Sequence, residues 1–260
     1  MFLRRLDDYQ SWQVIHRGTS ILIDPWLTSD AISGVFNRVH GTGFVTWDDL
    51  RREAGTVSAV ILCTSVDDHL RPETLQRFVD VPVWGPVKAA KAARTAGCTS
   101  THVASPGRTF EFAAPEGGAI RVTPTRCGLP LGFIAQGYLI EGVDPDGSSV
   151  GRVWLEPHQP TVRVARSISP IDVAILPTVS VTAIVLPVTS GLRRTAATAA
   201  ACGARAIVPT ATDPRRDMTR WQKSIYFTGR GSKKLRRRLV GTRRLVELRP
   251  RDWLDVTSGR

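Results

Sequence analysis

The stretch from Val57 to Pro86 constrains the fold more than any other part of the chain. It opens with the apolar, β-branched run Val57 to Leu62, which is typical of a strand buried on both faces. The polar run Thr64 to His69 (TSVDDH) follows at once. A helix is predicted to begin at Pro72, because proline suits a first helical turn, and a further strand is predicted over 81–84. This order indicates an open α/β architecture with polar residues at the carboxyl end of a strand, where such folds bind ligands.

Two tripeptides that begin with an acidic residue and a proline also follow predicted strands. Strands over Ser11 to Ile15 and Ser20 to Ile23 form a hairpin that leads into Asp24-Pro25-Trp26, and a strand over Arg152 to Leu155 leads into Glu156-Pro157-His158. Because the acids come directly after apolar runs, we expect the three strand ends to bring Asp24, Asp68 and Glu156 to one rim. The alternative for Asp24 is that of a turn residue before a proline.

The remaining predicted elements alternate between strands and helices. Residues 28–56 are predicted to form a long surface excursion with a short helix, of the kind that often lines a site. The predicted helices cover 47–53, 88–96 and 194–201, and the further predicted strands cover 109–112, 119–123, 133–140, 171–177 and 206–209.

The polar run after the first buried strand resembles that of the metallo-β-lactamase superfamily, in which a loop of pattern His-x-His-x-Asp-His supplies most ligands of one or two metal ions. Asp68 and His69 match the end of that pattern, whereas Thr64 and Val66 stand in place of its first two histidines. The chain is most similar to a divergent subgroup of metallo-hydrolase-like proteins whose loop also ends Asp-Asp-His. The resemblance implies one four-layer αββα sandwich over residues 1–257.

The same resemblance implies that the usual two-metal centre is lost. No histidine lies between Thr125 and Leu129, where the third motif is expected, and Thr210 stands where a closing histidine often follows Val-Pro. The chain has 5 histidines in all, about as many as a full two-metal site of the superfamily uses by itself.

The surviving residues predict a smaller site. Asp68, His69 and His158 are the candidate ligands of one zinc, iron or manganese ion, and Glu156 is a candidate general base or fourth ligand. Asp24 and Trp26 are expected to line the site, by resemblance. The open alternatives are a weak mononuclear hydrolase, an inactive relative that binds a small anionic molecule without a metal, and a purely structural role in which these side chains cap their loops.

The spacing of the cysteines bears on the cellular compartment in which the protein is expected. Cys63, Cys98, Cys127 and Cys202 are scattered without Cys-x-x-Cys spacing, which fits a reducing cytoplasm better than a secreted disulfide scaffold. Cys63 is interpreted as a small apolar strand residue, with a nucleophile beside His69 as the alternative.

The N-terminus lacks the apolar core of a signal peptide. The apolar stretch 173–192 is interrupted by two prolines and predicts buried strands rather than a membrane span.

The net charge of +12 is concentrated near the C-terminus. Residues 215–251 carry 14 lysines and arginines against Asp217 and Glu247, which gives a surplus of 12 and leaves the rest of the chain neutral. A noncatalytic protein that binds nucleic acid or an anionic membrane surface is therefore the alternative function, although a solvated basic face explains the charge equally simply. Nucleic-acid binding is not favoured, because RNA-processing members of the superfamily rely on intact metal motifs. The residues of this basic cluster are Lys233, Lys234, Arg236, Arg237 and Arg238.

Overall fold

A computed structural model describes residues 1–28, 43–53, 56–183, 186–210, 220, 226–228 and 244–258. The basic cluster at 233–238 lies outside these residues. Among the described residues, two seven-stranded sheets and a small three-stranded sheet account for the strands.

The first sheet joins strands from the two ends of the sequence. Its strands are β1 (Phe2–Arg5), β2 (Trp12–His16), β3 (Thr19–Ile23), β4 (Val57–Ile61), β5 (Val83–Gly85), β6 (Thr101–Val103) and β17 (Trp253–Asp255). Their spatial order is β17-β1-β2-β3-β4-β5-β6, antiparallel as far as β3 and parallel from β3 to β6. In the β1–β17 pair, Phe2 lies opposite Asp255.

The second sheet repeats this arrangement. Its strands are β7 (Phe110–Ala113), β8 (Ala119–Arg126), β9 (Gln136–Val143), β10 (Ser149–Leu155), β11 (Val173–Pro177), β14 (Ala206–Thr210) and β16 (Arg244–Leu245). The order β16-β14-β11-β10-β9-β8-β7 is parallel from β16 to β10 and antiparallel beyond. The small third sheet contains β12 (Val181–Ala183), β13 (Leu186–Thr189) and β15 (Tyr226–Thr228).

Five α-helices lie among the described residues. They are α1 (Trp47–Glu53), α2 (Pro72–Leu75), α3 (Val87–Thr95), α4 (Val162–Ser167) and α5 (Leu192–Ala201). Pro72 begins a helix as predicted, but α2 is short and tightens into a 3-10 turn over Gln76–Phe78. Helix α4 was not predicted; the hydroxyl of its N-cap residue, Thr161, accepts a hydrogen bond from the Val164 N–H.

Side chains alternate along the strands, so that each sheet has an inner face toward the other sheet and an outer face. Ile21, Ile23, Ala59 and Ile61 of the first sheet point inward and pack against the second sheet. The second sheet contributes an equivalent inner set, which includes Ile120, Val122, Ile140, Val153, Leu155, Val173 and Ile175. The contact of two pleated faces thus forms the central core.

The outer faces are covered by helices. Residues in between, such as Leu22 and Val60, point away from the centre and pack with α1, α2 and α3. On the other side, Trp154 and Ala174 pack with α4 and α5. The order helix, sheet, sheet, helix confirms the predicted αββα sandwich.

The apolar stretch 173–192 forms three strands and the start of a helix instead of one continuous element. It contains β11, β12, β13 and the first residue of α5. Among the described residues, no helix combines the length and hydropathy needed to cross a bilayer.

Candidate metal centre

The polar side chains of interest follow the carboxyl ends of strands in both sheets. Asp24 comes directly after β3, Cys63 comes two residues after β4, and Glu156 comes directly after β10. Cys127 follows β8. Because the two sheets pack face to face, side chains from these ends meet over the edge of the central core, where open α/β folds place ligands.

Asp24 links the ends of β3 and β4. Its N–H donates to Ile61 O at 2.9 Å, and its Oδ1 accepts the Cys63 N–H at 2.8 Å. Its Oδ2 lies 2.7 Å from His69 Nδ1. The residue has φ +46°, a left-handed conformation that Asp tolerates better than most residues. This carboxylate fixes the His69 ring with Nδ1 as the donor and leaves Nε2 for another partner.

His69 and His158 lie side by side. Their ring centroids are 4.7 Å apart with an interplanar angle of 32°, and both residues are buried. Burial lowers the pKa of His69, but the nearby Asp24 and Asp68 carboxylates outweigh it, so that the pKa lies above its ordinary value. Burial and the charge of His69 hold the pKa of His158 well below its ordinary value. The two rings in contact therefore differ in proton affinity, with His69 the more basic.

Glu156 is fully buried and only half hydrogen-bonded. Its Oε1 accepts the N–H groups of His158 at 3.0 Å and Gln159 at 3.2 Å. Its Oε2 meets no N–H or O–H donor from the described residues, and His158 Nδ1 and Thr64 Oγ1 are likewise buried there without a hydrogen-bond partner. Burial raises the pKa of Glu156 to about 7. Buried polar atoms are normally paired, so this cluster has spare capacity for a ligand.

Two groups of donor side chains converge within the part of the chain that the structure describes. Asp24, Cys63 and His69 form one group, and Cys127, Glu156 and His158 form the other; within each group the donor atoms lie within 4.8 Å of one another. A mixed set of nitrogen, oxygen and sulfur donors suits zinc or iron.

The other predicted site residues lie around these groups. Asp68 belongs to neither group; its half-buried carboxylate accepts a hydrogen bond from Tyr9 Oη at 3.0 Å, and its backbone oxygen accepts one from Gln10 Nε2. Trp26 is buried, and its N–H donates to Ser11 Oγ.

Sequence reasoning missed the thiols of this site. It interpreted Cys63 as a small apolar strand residue, with a nucleophile beside His69 as the alternative, and it considered only histidine in the segment 125–129, although Cys127 lies within it. A search of that segment for any metal-binding side chain would have found Cys127. Thr210 ends β14 buried, with its hydroxyl donating to Tyr9 O, and it belongs to neither donor group.

No protein-family model and no curated protein matches the chain. Solved structures do. An isothiocyanate hydrolase from Delia radicum gut bacteria matches with 17% identity and a TM-score of 0.67, over 98% of both chains. Igni18, a metallo hydrolase from Ignicoccus hospitalis, matches with 15% identity and a TM-score of 0.64, over 97% of both chains.

CmlA, a diiron β-hydroxylase from Streptomyces venezuelae, matches 97% of this chain with 18% identity and a TM-score of 0.65. The matched part is 53% of the CmlA chain, so this chain spans about half of that protein. YhfI from Bacillus subtilis, described as a metallo-β-lactamase fold protein, matches with 12% identity and a TM-score of 0.64. At these identities the likeness concerns the fold, and it agrees with the two-sheet architecture. The protein has the metallo-β-lactamase fold.

Proposed function

We propose that this protein is a metallo-hydrolase-like protein that holds at most one metal ion, with His69 and His158 as the imidazole ligands and Glu156 as the third donor. The observation that carries the proposal is the contact of the two buried rings beside a buried carboxylate oxygen and a ring nitrogen that have no partner among the described residues. Such unpaired atoms cost free energy unless a ligand binds them.

The geometry favours Glu156 over Asp68 as the third donor. Glu156 belongs to a donor group with His158, whereas the Asp68 carboxylate accepts a hydrogen bond from Tyr9. A zinc ion held by these residues would still have a position for water, and it would lower the pKa of that water toward about 7. Asp24 acts as a positioning residue, because its hydrogen bond orients His69.

The second metal position of the superfamily is proposed to be lost. Thr64 and Val66 stand in the positions of two histidines; a valine offers no donor atom, and a neutral threonine hydroxyl is a weak one. The proposed outcome is a weak mononuclear hydrolase or an inactive relative that binds the same class of molecule.

A groove next to His158 supports a small anionic molecule as the substrate or ligand. The groove has a volume of about 580 Å³, and its lining residues include Ser190, Arg193 and Arg194 at the start of α5 but no Asp or Glu. Ser190 donates its N–H to His158 O at 2.7 Å, so the groove adjoins the metal centre. The Ser190 hydroxyl is buried without a partner among the described residues, and helix N-termini attract anions.

Metal analysis of protein purified without chelators tests the proposal. We expect between zero and one equivalent of zinc, iron or manganese per chain, falling to background in the His69→Ala, His158→Ala double variant. His102→Ala is the matched control, because His102 is exposed on β6 and stacks on Trp84. Two tightly held equivalents, or a content unchanged in the double variant, would refute the one-metal site.

Activity separates the two forms of the proposal. Chromogenic phosphodiesters and carboxylate-bearing esters should be hydrolysed by the metal-loaded chain if it is an enzyme. Binding of these compounds without turnover would identify an inactive relative. If these compounds are neither bound nor hydrolysed, the anionic substrate class is removed from the proposal.

A further inference from the structure

Cys127 stands in a different environment from most cysteines of the chain. Cys98 and Cys202 are packed into the two outer apolar clusters, and Cys63 belongs to the central one. Cys127 is buried but belongs to none of these clusters, and its Sγ converges with donor atoms of Glu156 and His158 within 4.8 Å. A thiol among polar donors is placed for chemistry rather than for apolar packing.

The hydrogen bonds distinguish this group from the group of Asp24, Cys63 and His69. Both carboxylate oxygens of Asp24 already accept hydrogen bonds, and His69 Nδ1 is one of the donors. In the Cys127 group, Glu156 Oε2 and His158 Nδ1 meet no N–H or O–H donor within the described chain, and the Cys127 thiol is the hydrogen-bonding neighbour of the Glu156 carboxylate. Leaving such atoms unpaired costs about 1–3 kcal/mol each, so a cation bound here would offset a real penalty.

The backbone holds Cys127 in place beside these atoms. The N–H of Gly128 donates to Gln159 O at 2.8 Å, which ties the loop after β8 to the loop that carries Glu156 and His158. A Cβ at position 128 would lie 2.8 Å from the same oxygen, so the close approach requires glycine. The thiol is thus held beside the loop that carries Glu156 and His158.

We infer that Cys127 is a thiolate ligand of the metal ion, bound together with His158 and Glu156. The inference rests on the proposed one-metal function and adds a fourth, soft protein donor to it, so that water would enter as a fifth ligand. Binding replaces the S–H bond by an S–metal bond and releases the proton to solvent. A thiolate favours zinc or iron(II) over manganese, magnesium and calcium, so the site is selective for the softer ions.

Cobalt(II) substitution of the full chain under anaerobic conditions tests the inference. We expect one equivalent to bind with a near-ultraviolet thiolate-to-cobalt charge-transfer band. Cys127→Ser should abolish the band. It should also weaken cobalt binding by more than about 10–100-fold, which is the loss expected when only a hydrogen-bond partner of a ligand is removed. Cys98→Ser and Cys202→Ser are the matched controls. Cys63→Ser tests whether the thiol of the other donor group is the source of the band. All three variants should keep the band.

The outcomes separate the two proposals. Cobalt bound without the band, or with a band that survives in Cys127→Ser, would overturn the thiolate ligand and leave the one-metal site standing. No cobalt bound would overturn the one-metal site itself. If Cys127→Ser does not fold, X-ray absorption of the zinc-loaded wild-type chain decides, because a sulfur scatterer at about 2.3 Å is expected and a shell of nitrogen and oxygen alone would contradict the inference.

Discussion

Asp24 and Glu156 occupy equivalent places in the two sheets but differ in their hydrogen bonds. Each follows a strand directly and lies beside one of the paired histidines. Asp24 accepts a hydrogen bond on both oxygens, whereas one oxygen of Glu156 meets no N–H or O–H donor within the described chain. The first acid is therefore suited to orient an imidazole, and the second is suited to bind a cation.

Asp24→Asn should weaken metal binding without unfolding the protein. Asn tolerates the left-handed backbone and its oxygen can still accept the Cys63 N–H, but its NH2 group cannot accept a hydrogen bond from His69 Nδ1. We expect an affinity loss of about 10–100-fold, measured by competition with a chromophoric chelator. An unchanged affinity would remove Asp24 from the positioning role.

Asp68→Asn and Glu156→Gln form a matched pair that identifies the third ligand. We expect Glu156→Gln to lose most of the bound metal, because it replaces a carboxylate of the donor group. Asp68→Asn should keep the metal, because its side chain contacts Tyr9. The reverse result, read from metal content after dialysis, would make Asp68 the ligand.

In the metal-free protein, Glu156 should contribute a penalty to the free energy of unfolding that grows as the pH rises from about 5 to about 7. The pKa of Glu156 is raised by burial from 4.5 to about 7, so the folded state holds a proton that the unfolded state has released. The penalty is absent below the unfolded pKa and complete above the folded one, and it amounts to about 3 kcal/mol at most. His158 opposes it at low pH, because its lowered pKa favours the unfolded state there.

Urea unfolding at several pH values isolates the Glu156 contribution. The difference in free energy of unfolding between wild type and Glu156→Gln should grow as the pH rises, with Glu156→Gln the more stable at high pH. A difference that is constant from pH 5 to 8 would show that Glu156 titrates normally.

Gly137→Ala should destabilise the protein and disturb the metal centre together. A Cβ at this position of β9 would lie 2.5 Å from Leu155 O, 2.9 Å from Thr125 Oγ1 and 3.0 Å from Glu156 Oε2. We expect a loss of about 1–3 kcal/mol from overpacking, with weaker metal binding. Gly151→Ala is the control: its Cβ would approach side-chain atoms of Met1 and Val256 at 3.2 Å, which should cost less. Equal losses in both variants would contradict this explanation.

Polyanion binding, if it occurs, should follow the basic cluster. Reversing Lys233, Lys234, Arg236 and Arg237 to Glu should abolish retention on heparin or RNA, and the wild-type affinity should fall steeply with salt. The matched control reverses Lys88, Lys91, Arg163 and Arg166, which carry the same charge elsewhere. Retention that survives in the first variant would move the polyanion surface away from the cluster.

The sequence predicted the strands better than the chemistry of the site. Apolar runs such as 57–61 and 173–177 became buried strands because side chains on both of their faces find apolar partners, which is a property of the local pattern. The donor groups depend on contacts between residues such as Cys127 and His158, which are far apart in sequence and meet only when the strand ends converge. Local patterns cannot reveal which of two acids keeps an unpaired oxygen. That distinction comes from backbone N–H groups of the folded loops.

The pairing of β1 with β17 has a consequence for how the protein is made. Phe2 lies opposite Asp255, and the Val256 N–H donates to Met1 O at 3.0 Å, so the edge of the first sheet joins the most distant described segments of the chain. Contacts of such high sequence separation slow folding, because their loop entropy is lost before the contact stabilises the fold. During synthesis β1 has no β17 partner until residue 255 has left the ribosome. Until then the edge of β1 stays open to pairing with other chains.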